Sequence, residues 1–196
     1  MSPDELRQIC EIGQNAGVRL HRYKRSNVLP RVQKVLGILK GLQPSNILDI
    51  GSGRGVFLWP LLDSFPYLPV TAVDANEYRA AQLQTVAAGG LDQLSARQMD
   101  ATSLDFANHQ FDVVTVLEVL EHIPLVRTAI AEIVRVAQRF AIVSVPSKED
   151  NNPEHIHCFT QLEIRQLFVD AGITQVNIEY VLNHMIVVAN VSHARS

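Results

Sequence analysis

The segment Ile47-Leu48-Asp49-Ile50, followed at once by Gly51-Ser52-Gly53-Arg54-Gly55, restricts the fold more than any other part of the chain. Its short, nearly continuous apolar run reads as a strand buried on both faces, and such strands belong to parallel sheets covered by helices. The glycines let the backbone turn sharply and leave room for a ligand at the strand's carboxyl end. A second apolar run, Val70–Asp74, ends in an acid 23 residues after Gly51. Ligands of open α/β sheets lie across the carboxyl ends of the strands, near the point where strand order reverses. A glycine turn beside a strand-terminal carboxylate therefore predicts a nucleoside cofactor, with Asp74 accepting from its ribose hydroxyls.

The rest of the chain extends the alternation. Strands are predicted over Asn46–Ile50, Val70–Asp74, Leu94–Met99, Phe111–Leu117 and Phe140–Val145, and helices over Val56–Phe65, Glu77–Ala88 and Val126–Val136. Thr160-Gln161-Leu162-Glu163 has the spacing of a capping box and opens a helix that ends at Gly172. Val176–Val181 and Met185–Val191 flank Asn183-His184 as a hairpin that adds one antiparallel strand. Residues 1–43 read as helical: Ser2-Pro3-Asp4-Glu5 opens one helix, and a second runs from Pro30 with Val32, Val35, Leu36 and Leu39 as its apolar stripe, stopped by Gly41. With 196 residues the chain suits a single domain, 1–196, in which 1–43 is a helical substrate lid and 44–192 the sheet core.

Composition narrows the partners. Apolar residues make up 47% and charged ones 19%, and the net charge is -3, which gives no overall attraction to nucleic acid or membrane. The exception is local: Arg19, Arg22, Lys24, Arg25, Arg31, Lys34 and Lys40 form a run without an acid, either a solvated face or a landing surface for an anionic substrate. Cys10 and Cys158 suggest no disulfide framework, the N-terminus has no signal-peptide pattern, and no apolar stretch approaches a bilayer span. A cytoplasmic protein with no obligate protein partner is expected.

The glycine spacing is GxGxG rather than the GxGxxG of dinucleotide folds. Asp49-Ile50-Gly51-Ser52-Gly53-Arg54-Gly55 resembles the first motif of the class I S-adenosylmethionine-dependent methyltransferases, and three further segments follow in that family's order. Asp74, with Ala75 after it, matches the ribose-binding acid; Met99-Asp100-Ala101 is similar to the segment bracketing the adenine; Phe111–Glu118 resembles the fourth strand, whose end, Leu117-Glu118, lies beside the reactive methyl. The resemblance covers roughly residues 44 to 190. It implies a Rossmann-like seven-stranded sheet of order 3-2-1-4-5-7-6 with the seventh strand antiparallel, S-adenosylmethionine as cofactor and S-adenosylhomocysteine as product. It leaves the methyl acceptor unidentified, a small molecule before RNA. Each acid also has a plainer role: Asp49 capping the glycine turn, Asp74 capping the next helix, Asp100 ordering the turn at Ala101-Thr102-Ser103.

Methyl transfer from a sulfonium needs an aligned nucleophile, helped by a nearby base. Leu117-Glu118-Val119-Leu120-Glu121-His122-Ile123-Pro124 holds three polar groups in an apolar run, and at helical pitch Glu121 and His122 share a side with Glu118. These three are the catalytic candidates. The polar stretch Pro146–Thr160 follows a strand's carboxyl end and should overhang the same cleft, with His155 and His157 on opposite sides of an extended segment. His155, His157 and Tyr23 are the substrate-facing candidates. In an alternative reading, Glu118, Glu121, His122 and His157 hold a divalent metal, similar to the metal-dependent small-RNA 3′-terminal ribose 2′-O-methyltransferases. A third possibility keeps the fold but serves as a non-catalytic module. His21, His109, His184 and His193 receive no role.

Overall fold

The computed structural model describes residues 28–148 and 152–192. The first predicted helix, Cys10, Tyr23 and the cations Arg19, Arg22, Lys24 and Arg25 lie outside the described residues. In chain order the elements are α1 (Pro30–Leu42), β1 (Ile47–Ile50), α2 (Leu58–Ser64), β2 (Val70–Asp74), α3 (Glu77–Ala88), β3 (Leu94–Gln98), β4 (Phe111–Leu117), a 3-10 turn (Leu120–His122), α4 (Val126–Val136), β5 (Ala137–Pro146), α5 (Gln161–Asp170), β6 (Val176–Val181) and β7 (His184–Asn190).

The seven strands form one sheet of order β3-β2-β1-β4-β5-β7-β6. All neighbours from β3 to β5 pair in parallel, and β7 runs antiparallel to both β5 and β6. The order reverses between β1 and β4, so the crevice of the switch point opens above Ile50, Asp74 and Leu117. Every residue of β1, and all of β4 except Leu117, is buried. The continuous Val/Ile/Leu runs are the consequence of helices on both faces.

Each face has its own apolar layer. Val32, Val35 and Leu39 of α1 pack with Leu58, Leu61 and Ile186 on one side, and Ile130, Ile133, Ile164 and Phe168 of α4 and α5 cover the other. Thr160 caps α5, its hydroxyl accepting from Glu163 N while the Glu163 carboxylate accepts from Thr160 N, which is the predicted capping box.

Three local readings are corrected. Gly41 does not stop α1; the helix runs through Leu42 and ends where Gln43 turns left-handed (φ 50), its N–H on Leu39 O at 2.9 Å, ahead of Pro44. The helix after the glycine turn starts at Leu58, because Gly55, Val56 and Phe57 form its entry turn. β5 begins at Ala137, directly after α4, since Ala137 pairs with Phe111 before the β4–β5 register shifts.

Candidate functional site

The glycine turn is held from two sides. Gly51 N and Ser52 N both donate to Val73 O of β2 (2.7 and 3.2 Å). Asp49 is 2% exposed and accepts from Ser52 Oγ (2.7 Å) and from Thr115 Oγ1 of β4 (2.9 Å). Burial pushes its carboxyl up to about 6, against the two hydroxyl donors and with a further upward push from the charge of Asp74. Asp49 thus caps the turn from beneath.

All three glycines adopt positive φ, but they face different surroundings. A Cβ on Gly51 would lie 2.3 Å from Val119 Cγ2, and one on Gly55 would lie 2.0 Å from Trp59 Nε1. A Cβ on Gly53 would meet only Gly51 O, at 3.7 Å. Gly53 is therefore the glycine whose missing side chain leaves open space, whereas Gly55 makes room for the chain's own tryptophan.

Over the strand tips lies a groove in two lobes that share Gly51, Arg79 and Glu118. The larger lobe, about 730 Å³, is lined by Asp74, Ala75, Asp100, Ala101 and His122 among others. The smaller, about 200 Å³, is lined by Asp49, Gly53, Leu117 and Arg31 among others. Asp74 is 5% exposed; its Oδ2 accepts from Gly53 N (2.8 Å) and its Oδ1 from Asn76 N (2.9 Å). The cap of α3 is Asn76, whose side chain accepts from Arg79 N, so Asp74 does not serve as that cap. Each Asp74 oxygen has lone-pair capacity beyond these single bonds, enough for two ribose hydroxyls. Asp100 directs Oδ1 to Thr102 N and Thr102 Oγ1 (2.8 and 2.7 Å), and these bonds, led by the backbone one, lower its pKa. It orders the turn and lines the groove at once.

Glu118 departs from the helical expectation. Its φ is 58, so the chain turns left-handed there and the 3-10 turn starts only at Leu120. The carboxylate is directed away from Glu121 and His122. Oε1 accepts from Ser144 Oγ (2.6 Å), Oε2 lies 3.1 Å from His184 Nε2, and Arg31 Nε is 3.8 Å from Oε1.

Glu121 is fully buried beneath the turn, and its carbonyl accepts from Ile156 N and His157 N (2.9 and 3.2 Å), clamping the loop after β5 onto the turn. His122 Nδ1 donates to Glu154 O (2.9 Å), and its ring meets that of His155 edge-on at 4.7 Å. His157 points the other way: Nε2 donates to Ile123 O (3.0 Å) and the ring stacks on Phe159. Among the described residues, the side chains with converging ligand atoms are Glu121, His122 and His155, with these atoms all within 4.8 Å of one another. Of the four expected together, Glu118 and His157 are turned elsewhere. Oxygen and imidazole donors of this kind suit a divalent ion.

The groove brings together Asp49, Gly51, Gly53, Asp74, Ala75, Asp100, Ala101, Leu117, Glu118 and His122. Gly55, Glu121, His155 and His157 do not line it, and Tyr23 lies outside the described residues. Sequence reasoning missed Arg79, which lines both lobes, and the partners of Glu118, namely Ser144 and His184. Of the basic run, Arg31 stands beside Glu118 and Lys34 pairs with Glu179 at 2.5 Å. No helix among the described residues is long and apolar enough to cross a membrane.

Comparison with known proteins agrees with this geometry. A methyltransferase domain family profile matches residues 48–144, from β1 to the close of β5. The chain is similar to sterol methyltransferase-like 1 of Botryococcus braunii, with 31% identity over 133 residues that cover 63% of this chain and 34% of that one. It is also similar to a malonyl-[acyl-carrier protein] O-methyltransferase of Geobacter sulfurreducens, with 29% identity over 107 residues, 54% of this chain and 40% of that one. The chain therefore spans about a third to two fifths of the length of these curated relatives. Among solved structures, a SAM-dependent methyltransferase from Aquifex aeolicus shares the fold with a TM-score of 0.70 and 21% identity, covering 93% of this chain and 98% of that one. With its motifs in order on a sheet of this topology and a methyltransferase domain profile running from the first strand to the fifth, the chain has the fold of the class I S-adenosylmethionine-dependent methyltransferases and resembles them along that core.

Proposed function

We propose that this protein transfers a methyl group from S-adenosylmethionine to a small-molecule acceptor. The observation that carries the reading is the groove at the β1/β4 switch point, where the Gly53 opening, Asp74 and Asp100 line one continuous surface. The residues fit the cofactor. The larger lobe, about 730 Å³, has the size of small-molecule and cofactor sites, roughly 300–1,000 Å³. When bound, S-adenosylmethionine supplies an electrophilic methyl on a sulfonium. Asp74 would accept from the ribose hydroxyls, Asp100 from the adenine amine, and the turn around Gly53 would admit the backbone's close approach. The chain's own contribution is to position these groups and shield them from water. A small acceptor fits the net charge of -3 and the pairing of Arg31 and Lys34 with acids.

Incubation with methyl-tritiated S-adenosylmethionine and separate protein, RNA and small-molecule fractions of a cell extract tests the proposal. Label should enter the small-molecule fraction. Label in the RNA fraction alone would replace the acceptor class, and no transfer to any fraction would favour a non-catalytic module.

A second reading is favoured by the convergence of Glu121, His122 and His155. A divalent ion there, beside the groove that His122 lines, would bind an acceptor hydroxyl and ease its ionisation. Loss of transfer on chelation, restored by manganese or cobalt, would support this reading, and transfer indifferent to chelator would remove it.

A further inference from the structure

We propose that His184 accepts the proton that the methyl acceptor releases, and that Glu118 sets the tautomer and orientation of its ring; this rests on the transferase reading above. β7 runs antiparallel to β5, so its first residue, His184, stands opposite Pro146 at the carboxyl edge of the sheet. Glu118 stands at the same edge. Asp74 and Asp100 occupy the β2–β3 half of the groove, which leaves the edge beyond Glu118 to the acceptor.

Glu118 links the two halves. It lines both lobes of the groove, and its carboxylate reaches His184 Nε2 at 3.1 Å while Ser144 Oγ donates to the other oxygen at 2.6 Å. A left-handed backbone at a non-glycine residue persists only where the surroundings determine it, and such positions cluster at functional sites. Here the φ of 58 aims the carboxylate at the imidazole. Ser144 is fully buried, so the carboxylate is held on a rigid strand.

His184 Nε2 stands 3.1 Å from Glu118 Oε2, and a neutral imidazole that holds its proton on the nitrogen facing the carboxylate keeps its lone pair on Nδ1. This is the arrangement of a base oriented by a carboxylate. His109, His122 and His157 bond backbone carbonyls of Ala137, Glu154 and Ile123 instead. Arg31 of α1 lies 3.8 Å from the Glu118 carboxylate, and Pro146 of β5 and Val181 of β6 stand opposite His184 in the sheet. Lys34 is matched by Glu179, and Glu118 is the acid in contact with the ring. The His184 side chain is 24% exposed, so a ligand can reach it.

The step balances. An acceptor X–H attacks the methyl; the X–CH3 bond forms as the CH3–S bond breaks, and its electron pair returns to sulfur, leaving neutral S-adenosylhomocysteine. The proton on X passes to Nδ1, and the imidazolium that results lies against the Glu118 carboxylate.

The test uses the tritiated-methyl assay on the small-molecule fraction at saturating S-adenosylmethionine, with S-adenosylhomocysteine calorimetry alongside. His184→Ala and the bulkier His184→Gln should slow transfer about 100-fold and bind S-adenosylhomocysteine within about twofold of the parent. Imidazole in the buffer should restore part of the His184→Ala rate. Glu118→Gln should slow transfer in the parent and add little further loss on top of a His184 substitution, because it acts through the ring. Wild-type rates in the His184 variants would overturn the inference while leaving the transferase reading intact. So would slow variants that ignore imidazole. If one His184 variant fails to bind S-adenosylhomocysteine, the other carries the comparison; failure of both, or a Glu118→Gln loss of the same size with and without His184, overturns the proposal. No transfer by the wild-type protein would instead defeat the transferase reading, and the inference with it.

Discussion

Asp74 Oδ2 accepts the Gly53 N–H at 2.8 Å, joining the last residue of β2 to the open glycine of the turn that follows β1. One carboxylate thus shapes the turn and faces the groove. Asp74→Ala should weaken S-adenosylhomocysteine binding by about 1–3 kcal/mol, the range for a lost charged hydrogen bond. Asp74→Asn separates the roles: an amide oxygen can still accept from Gly53 N, so the melting temperature should recover more than the affinity does. Calorimetry and thermal melts on both variants check this.

The glycines should split in the same way. Gly55→Ala places a methyl group against Trp59 and should cost stability by about 2 kcal/mol or more, from strain added to the left-handed backbone penalty of about 1–2 kcal/mol. Gly53→Ala meets no such neighbour and should carry the backbone penalty alone, while its methyl group intrudes on the groove. Denaturant melts should rank Gly55→Ala as the less stable, and ligand titration should rank Gly53→Ala as the poorer binder relative to its stability.

Asp49 gives a pH signature with an unusual sign. Its pKa in the folded protein, about 6, lies above the ordinary 3.8, so the folded state holds the proton more tightly than the unfolded chain does. Its contribution is most favourable near pH 4 and is lost as pH rises toward 7, by about 3 kcal/mol at 1.36 kcal/mol per unit. Asp49→Asn has no such titration. The stability of wild type minus that of Asp49→Asn should therefore fall between pH 4 and pH 7, measured by denaturant unfolding at each pH.

Much of the sheet is legible in the sequence because buried parallel strands leave continuous apolar runs. Val70–Asp74, Phe111–Leu117, Glu77–Ala88 and Val126–Val136 have the bounds read from the residues alone. The strand order followed from family resemblance rather than from periodicity. The side chains around Glu118 were not legible. Helical pitch grouped it with Glu121 and His122, but one left-handed residue redirects it. Its partner His184 lies 66 residues further along the chain, brought near only by the β5–β7 register. In the loop after β5, His155 rather than His157 meets His122, because the Glu121 carbonyl fixes the backbone at residues 156 and 157.

The loop that carries Asp100 is tied to α4 by Arg135. Its guanidinium donates to Leu104 O (2.8 Å), Phe106 O (2.7 Å) and both Glu132 oxygens, and Glu132 accepts from Leu104 N (2.8 Å). The Arg135 bond is the main cause that holds the Glu132 carboxyl below its usual range. Arg135→Ala should cost about 1–2 kcal/mol of stability and raise hydrogen exchange across residues 100–106, which bound cofactor should partly reverse. Exchange unchanged in that segment would show that Arg135 does not hold it.

The most direct test of the central claim is calorimetric titration of the protein with S-adenosylhomocysteine, with NADH as the control dinucleotide. The account predicts saturable binding of S-adenosylhomocysteine at one site, weakened at least fivefold in Asp74→Ala, and no binding of NADH. Saturable binding of NADH with none of S-adenosylhomocysteine would contradict it.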